Sequence, residues 1–328
     1  MATLNSFIRS ANASYKRAAR ANERQARAHA KQHQQYLKDQ IRNDSIAAVN
    51  TYNEYLEMLI SIHKSCSETL NWNTFLREPE PIKPKKTKKR EEVALVALHL
   101  YKPSILDKLL SKEYHKRAKL QTILDEAIRK DLQEFNQNAQ QYNSDLEDWK
   151  TVRAIAKGVL ADESSAYRDA ISFFDPFANI NQLGTQINCI FNDAGLTLNV
   201  SVNTLDIIPD YVLTATATGK LSNKKMTATK FNELYQDYVC SCAIRVARET
   251  FALLPINCLY VNAIADLLDP STGRILPQPI LSCKFIPENL SRLNFAHIDC
   301  SDAMRNFVHN MKFSKTTGFA PIHVLSNN

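Results

Sequence analysis

The sequence predicts an α+β protein: a long antiparallel, coiled-coil-like helical N-terminal region followed by a β-β-β-α-β-β-α head domain. Three observations lead there. All six glycines of the 328 residues lie at Gly158 or later, and a stretch without the residue that supplies positive φ angles can hardly hold a compact β-rich fold. Apolar residues in that stretch recur at three- and four-residue steps, the period of a helix face. After Gly158 the period changes to the alternation of strands.

Residues 1–42 read as a basic helical arm, helical by propensity but with little to bury. Residues 43–77 read as a first stalk helix. In the helical run from Ser10 to His63, the positions Leu37, Ile41, Ala48, Tyr52, Leu56, Leu59 and His63 form a seam. Residues 78–90 (EPEPIKPKKTKKR) are a Pro/Lys linker, because three prolines and a cluster of like charges can neither continue a helix nor join a core. Residues 91–163 are a second helical region, with a short helix over 91–100 and a long one from Glu113 to Leu160. Two long amphipathic helices joined by a linker predict an antiparallel hairpin, and homodimerisation along the same seam is an equally physical solution.

The head occupies 164–328. Ile187, Cys189 and Phe191 alternate, Asn192 to Gly195 marks a turn, and Leu196, Leu198, Val200 and Val202 alternate again, which makes a hairpin. A third strand is expected from Tyr211 to Thr218, rich in β-branched residues. A helix over 229–254 has apolar residues on two faces and should be covered on two sides. Strands over 258–265 and 280–286 flank the turn Asp269 to Gly273, and helical pieces are expected at 287–293 and 301–311.

Charge is uneven. Residues 1–42 hold nine Lys/Arg against two acids, which equals the whole formal net charge of +7, while residues 171–328 are neutral. Attraction for polyanions therefore belongs at the N-terminus. Lys16, Arg17, Arg20, Arg24, Arg27 and Lys31 place positive charge on nearly every turn of the arm, a pattern suited to nucleic acid or an acidic protein partner. No run of 18 apolar residues exists and the opening residues lack the order of a secretion signal, so no integral membrane contact and a cytoplasmic location are expected. Seven cysteines in mostly apolar contexts read as reduced, buried small hydrophobes.

Chemistry-bearing patterns are sparse. The strand order of the head, with a helix at 164–173 before it, matches the connectivity of PD-(D/E)xK nucleases. Those enzymes hold Mg²⁺ on paired acids beside a lysine, and Asp206, Asp210 and Lys220 are the only candidates for that role. No acid-x-Lys stands in the third strand, so a divergent metal-dependent nuclease is the alternative reading, not the main one. Cys240, Cys242, His297, Cys300 and His309 lack the spacing of a zinc site. No phosphate loop, dinucleotide fingerprint or nucleophile elbow is present, and no cofactor is expected. Lys220, Lys224 and Lys225, with Arg245 and Arg248, make a possible anion patch. For Arg245 the bland alternative is an i,i+4 surface ion pair with Glu249.

The segments KLSNKKM, FNELYQDYVCSCAIRVARETFALLP, QPILSCKF, RLNF and FVHNMKFSKTTGF resemble a group of uncharacterised bacterial proteins that couple a Lys/Glu-rich helical N-terminus to a small α/β domain. The resemblance spans roughly residues 170–320. It implies a bacterial, cytoplasmic protein and carries no activity or catalytic residue. Together these readings predict a non-enzymatic accessory or scaffolding protein that binds nucleic acid or an acidic partner through its arm and assembles through its stalk. A purely structural interaction module is a third reading.

Overall fold

The structure is a computed structural model that describes residues 31–32, 35–36, 38–105, 112–181, 185–192, 195–202, 207–216 and 218–325. Helices α1 (38–60), α2 (Trp72–Arg77), α3 (Lys89–Leu100), α4 (Glu113–Leu160), α5 (Ser164–Phe174) and the short α6 (Ala178–Asn181) come first. Strands β1 (Gln186–Asn192), β2 (Gly195–Ser201), β3 (Tyr211–Ala215) and β4 (Leu221–Lys225) precede helix α7 (Ala228–Leu253). The chain ends with β5 (Leu259–Asp269), β6 (Arg274–Phe285), α8 (Pro287–Ser291), α9 (Cys300–Ala303), β7 (Val308–Ser314) and β8 (Gly318–Ala320). No described helix is long and apolar enough to cross a membrane. The α+β class is as the sequence predicts. The chain divides into two compact units, one of residues 1–68 with 176–328, the other of residues 69–175.

In the first unit a six-stranded sheet has the order β1-β2-β5-β6-β7-β8. Its neighbours are antiparallel except for the parallel pair β2 and β5, and a parallel pair needs a long crossover. The crossover holds α7, whose Thr227 cap accepts from the Lys230 N–H and whose length is buried from Tyr235 to Leu253 with few exceptions. Leu198, Val200, Val261, Leu281 and Cys283 from the sheet complete the core. The hairpin β1–β2 pairs Asn192 with Gly195 at its turn, as the alternation predicts. Asp269 closes the β5–β6 turn by accepting from the N–H of Ser271 and from the hydroxyls of Ser271 and Thr272.

Three departures from the predicted order have physical causes. Strand β3 does not join the central sheet; it pairs with β4 as a separate two-stranded ribbon, and LSNKK lacks the apolar alternation that would have announced β4. The helix expected over 301–311 stops at Asn306, and β7 follows. There the open edge of β6 from Leu281 to Lys284 takes Val308 to Met311 as its partner, and ladder pairing overrides a weak local preference. Strand β8, three residues beyond the turn that follows β7, is too short for a sequence pattern.

The fate of the stalk helices differs from the predicted hairpin. Helix α1 does carry a seam, with Ser45, Tyr52, Leu59 and then His63 buried at seven- and four-residue steps, but the head covers it. Tyr52 stacks on Tyr211 with ring centroids 5.6 Å apart and donates to the Tyr211 carbonyl at 2.6 Å. Tyr55 donates to the Ile207 carbonyl at 2.7 Å.

In the second unit, α4 is accompanied in the opposite direction by α2, the extended Pro/Lys segment and α3. Arg153 donates to the Leu76 carbonyl at 2.6 Å, the Trp149 indole to the Glu78 carbonyl at 3.1 Å, and the Arg90 guanidinium to Asp131 at 3.0 Å. Asp131 also accepts from the N–H groups of Arg90 and Glu91, which satisfies donors at the start of α3 and holds its carboxyl below the usual range. The base of this unit is aromatic, with Trp72 5.6 Å from both Phe75 and Phe174. Gly158 permits α4 to meet α5, since a Cβ there would lie 2.5 Å from that of Ala166.

Candidate functional site

The arm residues Lys16, Arg17, Arg20, Arg24 and Arg27 lie outside the described residues; Lys31 is helical and exposed. In the first turns of α1, Lys38 and Arg42 are also exposed. Arg42 is fixed by an unusual contact. A Cβ on Gly219 would come within 2.7 Å of the Arg42 Cβ, and Gly219 has φ +81°, so both the turn and the close approach require glycine. The β3–β4 ribbon is therefore pressed turn-first against α1.

That ribbon carries Lys220, Lys224 and Lys225, all exposed. Lys225 pairs with Tyr211 and so shares the face that meets Tyr52 of α1, while Lys224 points to the opposite face. From Ile207 to Lys230 the sequence holds four lysines and one acid, Asp210. The two basic features that the sequence presents 180 residues apart, the arm and the lysines around Gly219, thus meet where Arg42 touches Gly219. The lone glycine among lysines was the available signal; its partner on α1 was not legible.

Arg245 and Arg248 belong elsewhere. Arg245 is buried, bonded to Glu249 at 2.6 Å and to the Ser65 hydroxyl. Glu249, 1% exposed, also accepts from the Ser67 N–H. The ion pair is the i,i+4 pair of the sequence reading, but it lies in the interior rather than at the helix surface. Arg248 donates to the carbonyls of His63 and Lys64 and lies 3.7 Å over the Phe295 ring. Both guanidinium groups are engaged by protein groups, and they fasten the end of α1 to α7.

His63 completes this joint. Its N–H donates to the Ser241 hydroxyl at 3.0 Å, and its Nδ1 lies 3.0 Å from the same oxygen and 2.9 Å from Cys300 Sγ. Burial, with Lys64 and Arg248 nearby, lowers the His63 pKa and keeps the ring neutral. Cys300 has the look of a Cys/His pair, yet burial pushes its thiol up to about 12, so it is protonated at neutral pH and no nucleophile. Cys242 is likewise pushed up to about 12 by burial. All seven cysteines are free, four of them buried.

Asp206 lies outside the described residues. Asp210 and Lys220 stand at opposite ends of the β3–β4 ladder, beyond Tyr211 and Leu221 respectively, which separates them by about 20 Å at ~3.3 Å per residue. They do not converge, and β3 lies outside the main sheet. Among the described residues no group of three or more His, Cys, Asp or Glu is placed to hold a metal ion.

A cleft of about 630 Å³ opens between α7, α9 and β7, lined by Glu233, Asp237, Asp299, Asp302, Arg305 and His309 among others. Burial is the main cause that pushes the Asp237 carboxyl up to about 6, with Asp299 and Glu233 adding repulsion against a hydrogen bond from Ser301. Lys315 pairs with Glu233 at 2.6 Å and Arg305 with Asp302 at 3.0 Å, so the cleft is partly self-neutralised.

Comparison of the chain with family models, curated proteins and solved structures finds no match.

Proposed function

We propose that the protein is a non-enzymatic nucleic-acid-binding accessory protein, and that its binding surface runs from the basic arm along α1 to the β3–β4 ribbon. The observation that supports this most is the seating of Gly219 against Arg42. It joins Lys31, Lys38 and Arg42 to Lys220, Lys224 and Lys225 on one unit with a single acid in the ribbon. Phosphate backbones are recognised by lysine and arginine along an extended track, with affinity driven by counterion release. A folded ribbon at the end of a charged helix gives such a track a fixed terminus.

The test is a salt titration of binding to a short DNA duplex, comparing the full chain with Lys220→Ala/Lys224→Ala/Lys225→Ala. Each lost phosphate contact lowers the slope of log affinity against log salt by about 0.9, so a decrease of roughly 2 to 3 is expected. An unchanged slope removes the ribbon from the site. Equal competition by polyglutamate would replace nucleic acid with an acidic protein as the ligand class.

A further inference from the structure

Helix α3, KREEVALVALHL, carries apolar residues on every side yet buries only Ala94. Ala94 and Leu98 meet Leu124 and Ala127 of α4. At 100° per residue, Lys89, Val93, Val96 and Leu100 fall within about 30° of one line, turned roughly 150° from that contact. The three apolar members are 72%, 54% and 73% exposed. The Pro/Lys segment before α3 continues the same surface. On α4, Leu124, Ala127, Asp131, Trp149 and Arg153 lie within about 40° of one line, and they hold in turn the apolar side of α3, Arg90, Glu78 and Leu76. Helix α3 and the segment are therefore laid end to end along one face of α4, and the side turned away from α4 is common to both.

On that side the segment is basic. Pro81 and Pro84 are half-buried, whereas Ile82, Lys83, Lys85 and Lys86 are exposed, Ile82 to 92%. No acid stands between Pro81 and Arg90, and no Asp, Glu, Lys or Arg between Val93 and Tyr101. Lys88 pairs with Glu91, and Arg90 with Asp131 and Glu134. Among the described residues Lys83, Lys85, Lys86 and Lys89 have no acid partner. The exposed Glu92 stands about 70° off the apolar line.

We propose that this band docks on an anionic lipid bilayer, with Lys83, Lys85 and Lys86 at the headgroups and Val93, Val96 and Leu100 in the apolar boundary beneath them. Charge selects this occupant. One half of the band is unpaired positive charge and the other half is apolar, so its partner must offer negative charge and hydrocarbon at adjoining depths. A nucleic acid offers phosphate but leaves the valines and Ile82 in water. An anionic bilayer offers both. Lys89, at the end of the apolar line, marks the junction, where a lysine stem can lie against the apolar boundary with its ammonium at the headgroups. The twelve residues of α3 are too few to span a bilayer, and a short apolar face binds weakly unless a polybasic neighbour adds a second signal. This docking rests on none of the nucleic-acid reading.

The test is flotation of the full chain, without nucleic acid, with phosphatidylcholine vesicles that contain or lack about one-third phosphatidylserine. At about 1 mM lipid even the affinity of a single acyl chain registers. Binding is expected only with phosphatidylserine, and salt should weaken it. Lys83→Ser/Lys85→Ser/Lys86→Ser should weaken it at least tenfold, since one lysine near an anionic surface is worth about fivefold, and Lys83→Arg/Lys85→Arg/Lys86→Arg should keep it. Because the basic arm could also hold a vesicle, Val96→Trp at its exposed site adds a readout of place: vesicles of brominated lipid should quench the emission that this substitution adds. A chain that floats with neither vesicle, or equally with both, overturns the proposal. So does vesicle binding that ignores the serine changes or leaves the added emission unquenched, which would assign it to the arm.

Discussion

Helix α7 buries fifteen of its 26 residues, and α3 buries one of its 12. Both are rich in apolar side chains, and both lie against a larger partner. The difference is what surrounds them. The sheet, the end of α1 and α9 enclose α7, and even its polar residues are used: Ser241 meets His63, and Glu249 meets Arg245. Among the described residues, α3 packs along one helix, α4, through Ala94 and Leu98. Apolar content therefore fixes that a helix wants cover without fixing from where. In α7 the charged groups inside show that the cover is already complete, since a buried ion pair persists only where its partners are held in place.

The largest effect that would break this comparison is in the α7 joint. Glu249→Ala leaves the Arg245 charge buried and the Ser67 N–H without its acceptor, with an expected loss of about 3 to 5 kcal/mol in denaturant unfolding. A loss below about 1 kcal/mol would mean that water reaches the pair. Next, Leu59→Ala, at a site 1% exposed under α1, should cost about 2 to 4 kcal/mol. The matched change Val96→Ala on α3 should alter the stability of dilute protein by less than about 0.5 kcal/mol. Equal costs at the two sites would erase the contrast.

The smallest effect is electrostatic. The Asp237 carboxyl is pushed up to about 6 from its ordinary 3.8, so the folded state binds the proton more tightly than the unfolded one. Its ionisation costs stability as pH rises through about 6, and the cost is absent below about 4. Asp237→Asn should therefore stabilise by about 1 kcal/mol at pH 7, discounted for the water that still reaches the cleft, and should not at pH 4. His63 acts in the other sense. Its lowered pKa makes its contribution complete above 6.5 and lost as pH falls, so His63→Gln should flatten the acid side of the same curve.

Much of the local structure was legible. The β1–β2 hairpin, α7 with its limits, α4 and the Asp269 turn follow from periodicity and from Gly, Pro and Thr at element ends. What periodicity left open was partnership. The Tyr52, Leu59, His63 seam was visible, but a seam states only that one face is apolar, and here a strand ribbon and α7 cover it instead of a second stalk helix. Prolines 79 and 81 correctly marked a non-helical segment, but they could not show that it lies beside Trp149 and Val152 in a shallow cleft. For the candidate interface, the lysines were legible one by one. Their link to the arm depends on a backbone-to-side-chain approach at Gly219 over a separation of 177 residues, which no local pattern encodes.

The joint around His63 also sets an order of events in synthesis. His63 must wait for Ser241, 178 residues later in the chain, and at about 5 to 20 residues per second the ribosome takes roughly 10 to 35 seconds to deliver it. Through that interval Tyr52 and Leu59 leave the exit tunnel with no seat to occupy, while residues 69–175, which belong to the other compact unit, are already made. Helix α1 is thus among the last to dock, and its apolar seam is the stretch on which a nascent-chain chaperone would be expected to act.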